Sequence, residues 1–482
     1  MTAFNQAPTY TQYTLVGIIA LLIRSATLYW CIIPEMRYIQ PDSSGYHIAA
    51  YLITHTNSMT CPSGRPIFWR TPGYPWFLSL FYTDGNTDSS LQTHGTMHTN
   101  ALWVQVIICS LLPWILFHLT YMLTKVYPIA WAIMLFSLIH TGFVLSSTLL
   151  LTDGLGTIFF TCFLYCILAC IFSKTPLSRR HPYVVLCGAA LSLSAFTWMR
   201  PMGQFVAIGT ALLLLFSPVP WKQRIGYILF FLLLFFATLA PWFVRNYRLT
   251  ESLFFCPLFG LYWNVFNAPK ILARVENIPL QEAYDRLRYA AELNVREALL
   301  KHDPSQGTVI CNEQICGKSA WPLIKDHPFY FTYDTIIEVM KTTFDLYAYQ
   351  LIAIVNDCFR SDPLIEFLPE KIKDCLYQKP APWSIRILAW TELIIEILLW
   401  IGIFAGLWSF VCYPYLYPQY FNRLYHYGYI WLSAGFFIGL VVMQTGGFGY
   451  ARLRLPIEPL ILILGTTFWW WYIHNRQYKV LT

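Results

Sequence analysis

Between Ile225 and Phe243 the chain reads Ile-Gly-Tyr-Ile-Leu-Phe-Phe-Leu-Leu-Leu-Phe-Phe-Ala-Thr-Leu-Ala-Pro-Trp-Phe, with Lys222 and Arg224 just before it and Arg245 just after. An uncharged run of this length, coiled at about 1.5 Å per residue, matches a hydrocarbon core about 30 Å thick. Away from water its backbone polar groups must pair internally, which a helix does. Comparable runs recur at 14–33, 100–122, 126–146, 153–173, 182–199, 203–219, 385–411, 427–443 and 456–474. The 482 residues are 56% hydrophobic and 12% charged, against about 25% charged in soluble proteins. Soluble domains are excluded. The expected fold is an all-α polytopic membrane protein with about ten transmembrane helices.

The formal net charge of +7 invites a nucleic-acid partner, and its distribution argues against one. Basic residues sit in short connections: Lys125, Lys174 with Arg179 and Arg180, Lys222 with Arg224, Arg423, and Arg476 with Lys479. With a cytoplasmic N-terminus all of these fall on the cytoplasmic side, as retained positive charge does. The stretch Met1–Tyr13 carries no charge, and the apolar run after it contains Arg24. It reads as a retained first helix rather than a cleaved signal. Many of the 13 cysteines lie inside apolar runs, where a thiol packs as a small hydrophobe.

This orientation leaves two longer polar segments, 34–99 and 244–384, on the exterior face. The chain divides into a membrane module 1–243 that carries the first exterior loop, an exterior domain 244–384, and a membrane module 385–482. A segment as long as 244–384 needs structure of its own. Between Glu276 and Lys301, Leu280, Ala283, Leu287, Ala290 and Leu293 recur at helical spacing, so a small helical domain lying on the membrane is expected. Cys311 with Cys316, and Cys358 with Cys375, are candidate disulfides in that compartment, with free thiols the alternative.

Charge beside a bilayer is costly unless it is solvated or used. On the derived topology Asp42, Arg70, Asp153, Arg200, Arg245, Arg452, Arg454 and Glu458 all converge on the exterior face. Asp42 lies in Pro41-Asp42-Ser43-Ser44-Gly45-Tyr46 and Asp153 in Thr152-Asp153-Gly154. Each is a candidate helix cap or a candidate proton acceptor. Arg70 lies in Arg70-Thr71-Pro72-Gly73-Tyr74-Pro75, whose prolines force an irregular path; Trp69, Tyr74 and Trp76 fit an interfacial aromatic belt. Arg200, Arg245, Arg452 and Arg454 each stand where an apolar run meets the side that disfavours positive charge. Guanidinium groups there grip phosphate through paired donors, snorkel, or pair with acids, as Arg452 would with Glu458. Arg24 and Glu396 fall nearer the middle of their spans and are candidates for a mutual pair. His94 and His98 have the spacing of two metal ligands on a helix, but with no third ligand evident they read as solvated loop histidines. No nucleotide-binding or nucleophile-elbow motif occurs.

These residues carry a resemblance. The order Pro41-Asp42 with Tyr46, Arg70-Thr71-Pro72-Gly73-Tyr74-Pro75, Thr152-Asp153-Gly154, Met199-Arg200-Pro201, Pro241-Trp242 with Arg245-Asn246, and Arg452 to Pro459 is similar to that of GT-C sugar transferases. The group includes protein O-mannosyltransferases and lipid A aminoarabinose transferases. The resemblance implies a GT-C-like bundle and a sugar donor linked to polyprenyl phosphate. A hydroxyl-bearing acceptor would be glycosylated with inversion at the exterior face. In that role Asp42, or failing it Asp153, takes the acceptor proton, and Arg200, Arg245, Arg452 and Arg454 face the phosphate. Tyr46, Arg70 and Glu458 complete the substrate-binding set. The chain has Ser43 where the group often has a second acidic residue, which leaves a divalent metal open; no other cofactor is implied.

Three other classes fit parts of the pattern: an O-antigen polymerase or ligase using a polyprenyl diphosphate, a transporter, and a non-catalytic scaffold of the same fold. Polar groups crowd one face rather than the midplane, which speaks against a transporter. The absence of any Asn-x-Ser/Thr sequon favours a bacterial inner membrane with a periplasmic site over an ER membrane with a lumenal one. Cysteine-accessibility mapping in intact cells should label positions in 34–99 and 244–384 from outside and 174–180 only after permeabilisation. Labelling of 244–384 from the cytoplasm would overturn the convergence.

Overall fold

A computed structural model describes residues 6–33, 37–40, 42–61, 64–82, 95–172, 181–217, 219–257, 260, 262–302, 309–355, 383–416, 433–439 and 451–480. Among them the chain is helical, with one isolated β-bridge between Thr60 and Pro66. Six helices are long and apolar enough to cross a membrane: Tyr10–Trp30, His98–Thr124, Asp153–Ile171, Pro182–Met199, Trp221–Thr250 and Arg386–Ser409. The protein is integral to the membrane.

The run 126–146 breaks at His140 into Tyr127–Ile139 and Thr141–Thr148, bent by 48°, and makes a seventh span if it crosses as one. The cause is local. His140 has extended backbone, and its ring accepts the Phe143 N–H as the cap of the second helix. The expected count of about ten is therefore not reached among the described residues. The run 203–219 forms only Gly203–Leu215, about 20 Å of helix. The run 427–443 lies largely outside them, and 456–474 falls within the helix Glu458–Val480.

Burial follows the helical period. On Trp221–Thr250, Phe231, Phe235 and Leu239 are buried while Leu229, Leu233 and Phe236 are exposed, the pattern of a helix with one face on protein and one on lipid. Asp153–Phe172 and Pro182–Met199 run side by side, with Phe160 set against Phe163 and Phe196. Trp383–Leu416 crosses Glu458–Val480 at two glycines. A Cβ on Gly402 would stand 2.8 Å from the Gly465 carbonyl oxygen, so small residues permit the close backbone approach that binds helices in lipid.

The proline-rich motif is a brace. Thr71 Oγ1 donates to the Met199 carbonyl (2.9 Å), and a Cβ on Gly73 would lie 2.6 Å from the Trp198 carbonyl oxygen. Tyr74 is fully buried rather than part of an aromatic belt. Its hydroxyl donates to Gln105, whose amide in turn reaches the Ser147 and Leu149 carbonyls. Trp76 is exposed as a belt residue would be. The helix Gly73–Ser79 is thereby fixed to the ends of two spans, and Arg70 is carried on its N-terminal approach.

Residues 262–355 form short helices: Ala268–Glu276, Leu280–Lys301, Asn312–Asp326, Pro328–Phe344 and Tyr347–Val355. Their small core contains Ala268, Ile271, Ala320 and Ile324, with Leu287 packed against it. The amphipathic stretch expected from Glu276 to Lys301 is interrupted. Asn277 adopts left-handed backbone (φ 53°) and ends the first helix, and Leu280 and Leu293 stay exposed. Cys311 and Cys316 are free thiols; Cys358 and Cys375 lie outside the described residues. Replacing Gly73 by Val should cost about 1–3 kcal/mol, because the added methyls meet immobile backbone. Thermal unfolding of the detergent-purified protein checks this, and an unchanged midpoint would refute the brace.

Candidate active site

Asp42 occupies the N-cap position of the helix Ser43–Thr56, yet its carboxylate caps nothing. Ser43 does the local work instead: its hydroxyl accepts from Gln40 N–H and donates to the Leu150 carbonyl. The Asp42 carboxylate is left for two arginines. Arg70 Nη2 donates to Oδ1 at 2.5 Å, and Arg452 Nη2 donates to Oδ2. Burial pushes this carboxyl up, but the guanidinium of Arg70 and then that of Arg452 outweigh it and hold Asp42 well below the usual carboxylate range. Asp42 is ionised at neutral pH.

Around this pair the expected residues form one network. The Arg70 guanidinium lies over Trp69 and Tyr46, 4.5 and 4.4 Å from their ring centres. It approaches that closely because residue 45 is glycine: a Cβ there would stand 2.4 Å from Trp69 and 2.8 Å from Arg70 Nε. Arg452 Nε reaches to 3.9 Å from Asp153 Oδ1. Asp153 sits in the first turn of its span, where a carboxylate is favoured, and it receives Arg200 Nη2. Arg200 Nε also donates to Thr152. Tyr46, Asp42, Arg70, Arg452, Asp153 and Arg200 are thus joined across the chain, from the segment before Ser43–Thr56 to the helical turn Ala451–Arg454.

Three expected members stand elsewhere. Arg245 is half-buried on Trp242, 4.3 Å from the ring centre, and donates to the Met59 carbonyl and to Asn246; it makes no ion pair among the described residues. Arg454 and Glu458 belong to a sealed cluster. Arg454 is fully buried; Nε donates to Glu458 (2.9 Å), Nη2 to Glu396 (2.5 Å), and Nη1 to the carbonyls of Thr342, Thr343 and Asp345. Tyr347 donates to Glu458 (3.2 Å), and His140 Nε2 lies 3.4 Å from it. Each nitrogen of this guanidinium is engaged within the protein, so Arg454 is not placed to grip a ligand. The pair anticipated between Arg452 and Glu458 is made by Arg454, and Glu396 finds Arg454 rather than Arg24. Arg24 is buried in the first span and reaches only its own helix at the Ala20 carbonyl.

No family model and no curated protein matches the chain. Among solved structures it is similar to the archaeal oligosaccharyltransferase AglB from Archaeoglobus fulgidus in complex with an inhibitory peptide and a dolichol-phosphate. Identity is 11% and the TM-score 0.49, over 97% of this chain and 51% of that one. The chain spans about half the length of that protein.

Two residues beside these charges, Tyr262 and His140, escaped the sequence reading. Tyr262 stands near enough to Asp42 and Arg70 for their charges to act on its phenol, which burial pushes up; nothing in its surroundings in the sequence marks it. His140, Glu396 and Glu458 bring ligand atoms within 4.8 Å of one another. Arg454 already occupies both carboxylates of that cluster, and the cap from Phe143 N–H to His140 Nδ1 leaves the proton on Nε2, the wrong tautomer for a metal ligand. At Asp42 and Asp153, a cation would have to displace guanidinium groups. The division into an outer network and a sealed cluster is testable by stability alone. Arg454→Leu leaves Glu396 and Glu458 uncompensated and should cost about 3–5 kcal/mol. Arg452→Leu, at the partly exposed network, should cost clearly less. Equal losses in chemical denaturation would contradict the division.

Proposed function

We propose that the chain is an inverting glycosyltransferase that moves a sugar from a polyprenyl-phosphate donor to a hydroxyl acceptor at the exterior membrane face. That face is periplasmic if the protein belongs to a bacterial inner membrane. The observation that carries the reading is a carboxylate at a helix N-cap that caps nothing and is held between two arginines from opposite ends of the chain. The motif order from Asp42 to Pro459 supports the same class.

The chemistry follows from the charges. The bond between the anomeric carbon and the phosphate oxygen breaks while a bond to the acceptor oxygen forms on the opposite side, and the hydroxyl proton passes to the Asp42 carboxylate. The phosphate leaves as an anion, so it needs cations rather than an acid. Arg452 bridges Asp42 and Asp153 and is the first candidate for that duty; Arg245, which makes no ion pair among the described residues, is the second. Arg200 is committed to Asp153, and Arg70 holds Asp42 through both its carboxylate and its carbonyl.

A carboxylate gripped by two guanidinium groups is a weak base. Donor binding resolves this: a phosphate that draws Arg452 away raises the proton affinity of Asp42 when the substrate is in place. Asp42 therefore acts as a masked base, and Asp153 keeps Arg452 within reach.

Asp42→Asn keeps the shape and removes the base. It should retain donor binding and lose transfer by roughly 10²–10⁴-fold, measured with purified donor and acceptor; turnover near the parent rate would overturn the role and leave Asp153. Arg452→Gln should weaken donor binding by about 2–5 kcal/mol, and Arg452→Lys should restore little, since an ammonium lacks the planar fork. Donor binding equal to the parent in Arg452→Gln and in Arg245→Gln would refute the phosphate clamp.

A further inference from the structure

The helix Pro328–Phe344, in the segment that the charge pattern assigns to the exterior, is inside out. Asp334, Glu338, Thr342 and Thr343 are buried, while Phe329, Tyr333, Ile336 and Met340 are exposed. Those four apolar residues follow the helical period and form one stripe along the helix. A helix in water turns such a stripe inward and its charges outward. Leu280–Lys301, in the same group of short helices, does show its charges: Arg286 pairs with Glu282, Arg288 with Glu292 and Lys301 with Glu297, all of them exposed. On Pro328–Phe344 the polar groups are closed off within the protein. Asp334 receives Arg274 (2.5 Å), and Glu338 receives Lys270 and Lys341 (2.6 and 2.9 Å). The hydroxyls of Thr332 and Thr335 donate to the Pro328 and Phe331 carbonyls of their own helix.

The far end of the helix fixes its depth. Trp400 Nε1 donates to the Thr343 carbonyl (3.1 Å), and Arg454, beside Glu396, holds the carbonyls of Thr342, Thr343 and Asp345. Glu392 accepts the N–H groups of Tyr347 and Ala348, which open the next helix (2.6 and 2.9 Å). Glu392, Glu396 and Trp400 all belong to the span Arg386–Ser409. At 1.5 Å per residue, Glu396 and Trp400 stand roughly 15 and 21 Å along it from Arg386. With a hydrocarbon core about 30 Å thick, the turn at 345–346 lies near the middle of the membrane. Irregular backbone is tolerated there only where protein satisfies it, and Arg454 and Glu392 do so.

We propose that Pro328–Phe344 is an intramembrane helix, entering the hydrocarbon layer from the Arg386 side, and that its exposed stripe faces lipid. Ile336 and Met340 are about 12 and 6 Å from Phe344 along the helix. Both distances are shorter than the depth of the turn, so both side chains meet acyl chains. Phe329 and Tyr333, farther up, suit the headgroup boundary, where aromatic rings collect. Lipid is the occupant because the span that holds the turn exposes Ile394, Ile397, Ile401 and Phe404 over the same range of depth. Within 244–384 the positions 336 and 340 are then reached by a water-borne reagent from neither side. The inference rests on the membrane setting alone and stands whether or not the chain transfers sugar.

The test uses the full chain in phosphatidylcholine vesicles containing a phosphatidylcholine with a diazirine on one acyl chain. After irradiation, modified residues are mapped by mass spectrometry. Insertion is expected at Ile336 and Met340, as at the exposed Leu229 and Leu233 of Trp221–Thr250. In plain vesicles with an impermeant maleimide on both sides, Arg288→Cys should be labelled, and Ile336→Cys and Met340→Cys should not. Should the cysteine variants fail to fold, photolabelling of the parent decides. Insertion at Leu229 and Leu233 with none at Ile336 or Met340 would overturn the proposal, whether water, another protein or a second copy covers the stripe. Maleimide labelling at 336 and 340 equal to that at 288 would overturn it as well.

Discussion

The charged network at this end of the bundle depends on one carboxylate shared between two guanidinium groups. Asp42 comes from the segment before Ser43–Thr56 and Arg452 from the short helical turn Ala451–Arg454, 410 residues apart, and Arg70 reaches Asp42 from a proline-fixed segment between them. Charge pairs of this kind contribute little net stability when solvent screens them and cost desolvation when it does not. Their value here is directional. Apolar packing can hold helices together at several registers, whereas a fork of guanidinium donors on a carboxylate fixes one. The bundle is held by apolar contact, and the ionic bonds set how its ends face each other.

That division explains which parts were legible in the sequence. Six of the expected spans follow from the apolar runs, because the hydrocarbon core admits no alternative to paired backbone. Asp42, Arg70, Asp153 and Arg200 were legible as a group because charge beside a bilayer is costly unless it is solvated or used. Which arginine meets which acid was not. Arg452 and Arg454 are two residues apart on one short turn, and the chain alone does not tell which turns toward Asp42 and which inward. The need of Glu396 for a partner could be read from its depth in the span, but choosing between Arg24 and Arg454 required the packing of the last helix against Trp383–Leu416.

The bend at His140 shows the same limit from the backbone side. No proline marks the break; Gly142 follows it by two residues. The interruption comes from a side chain that caps the following helix and, on its other ring edge, approaches Glu458. A tertiary demand for a histidine at that cluster and a local demand for a cap coincide at one residue, and the helix yields.

The sealed cluster then acquires a purpose beyond holding charge. Arg454 is anchored by Glu396, Glu458 and backbone carbonyls with almost no freedom left, and Arg452 is carried on the same turn, Ala451–Arg454. Fixing Arg454 fixes the root of Arg452, so the arginine at the partly exposed network swings from a rigid base rather than from a loop. An apolar residue at 454 would pack the interior at lower desolvation cost, but it would release that root. The protein accepts a buried guanidinium with two carboxylates for the sake of where its neighbour points. On the proposed mechanism, in which this arginine leaves Asp42 for a phosphate and returns to it, a fixed hinge of this sort is what the motion needs.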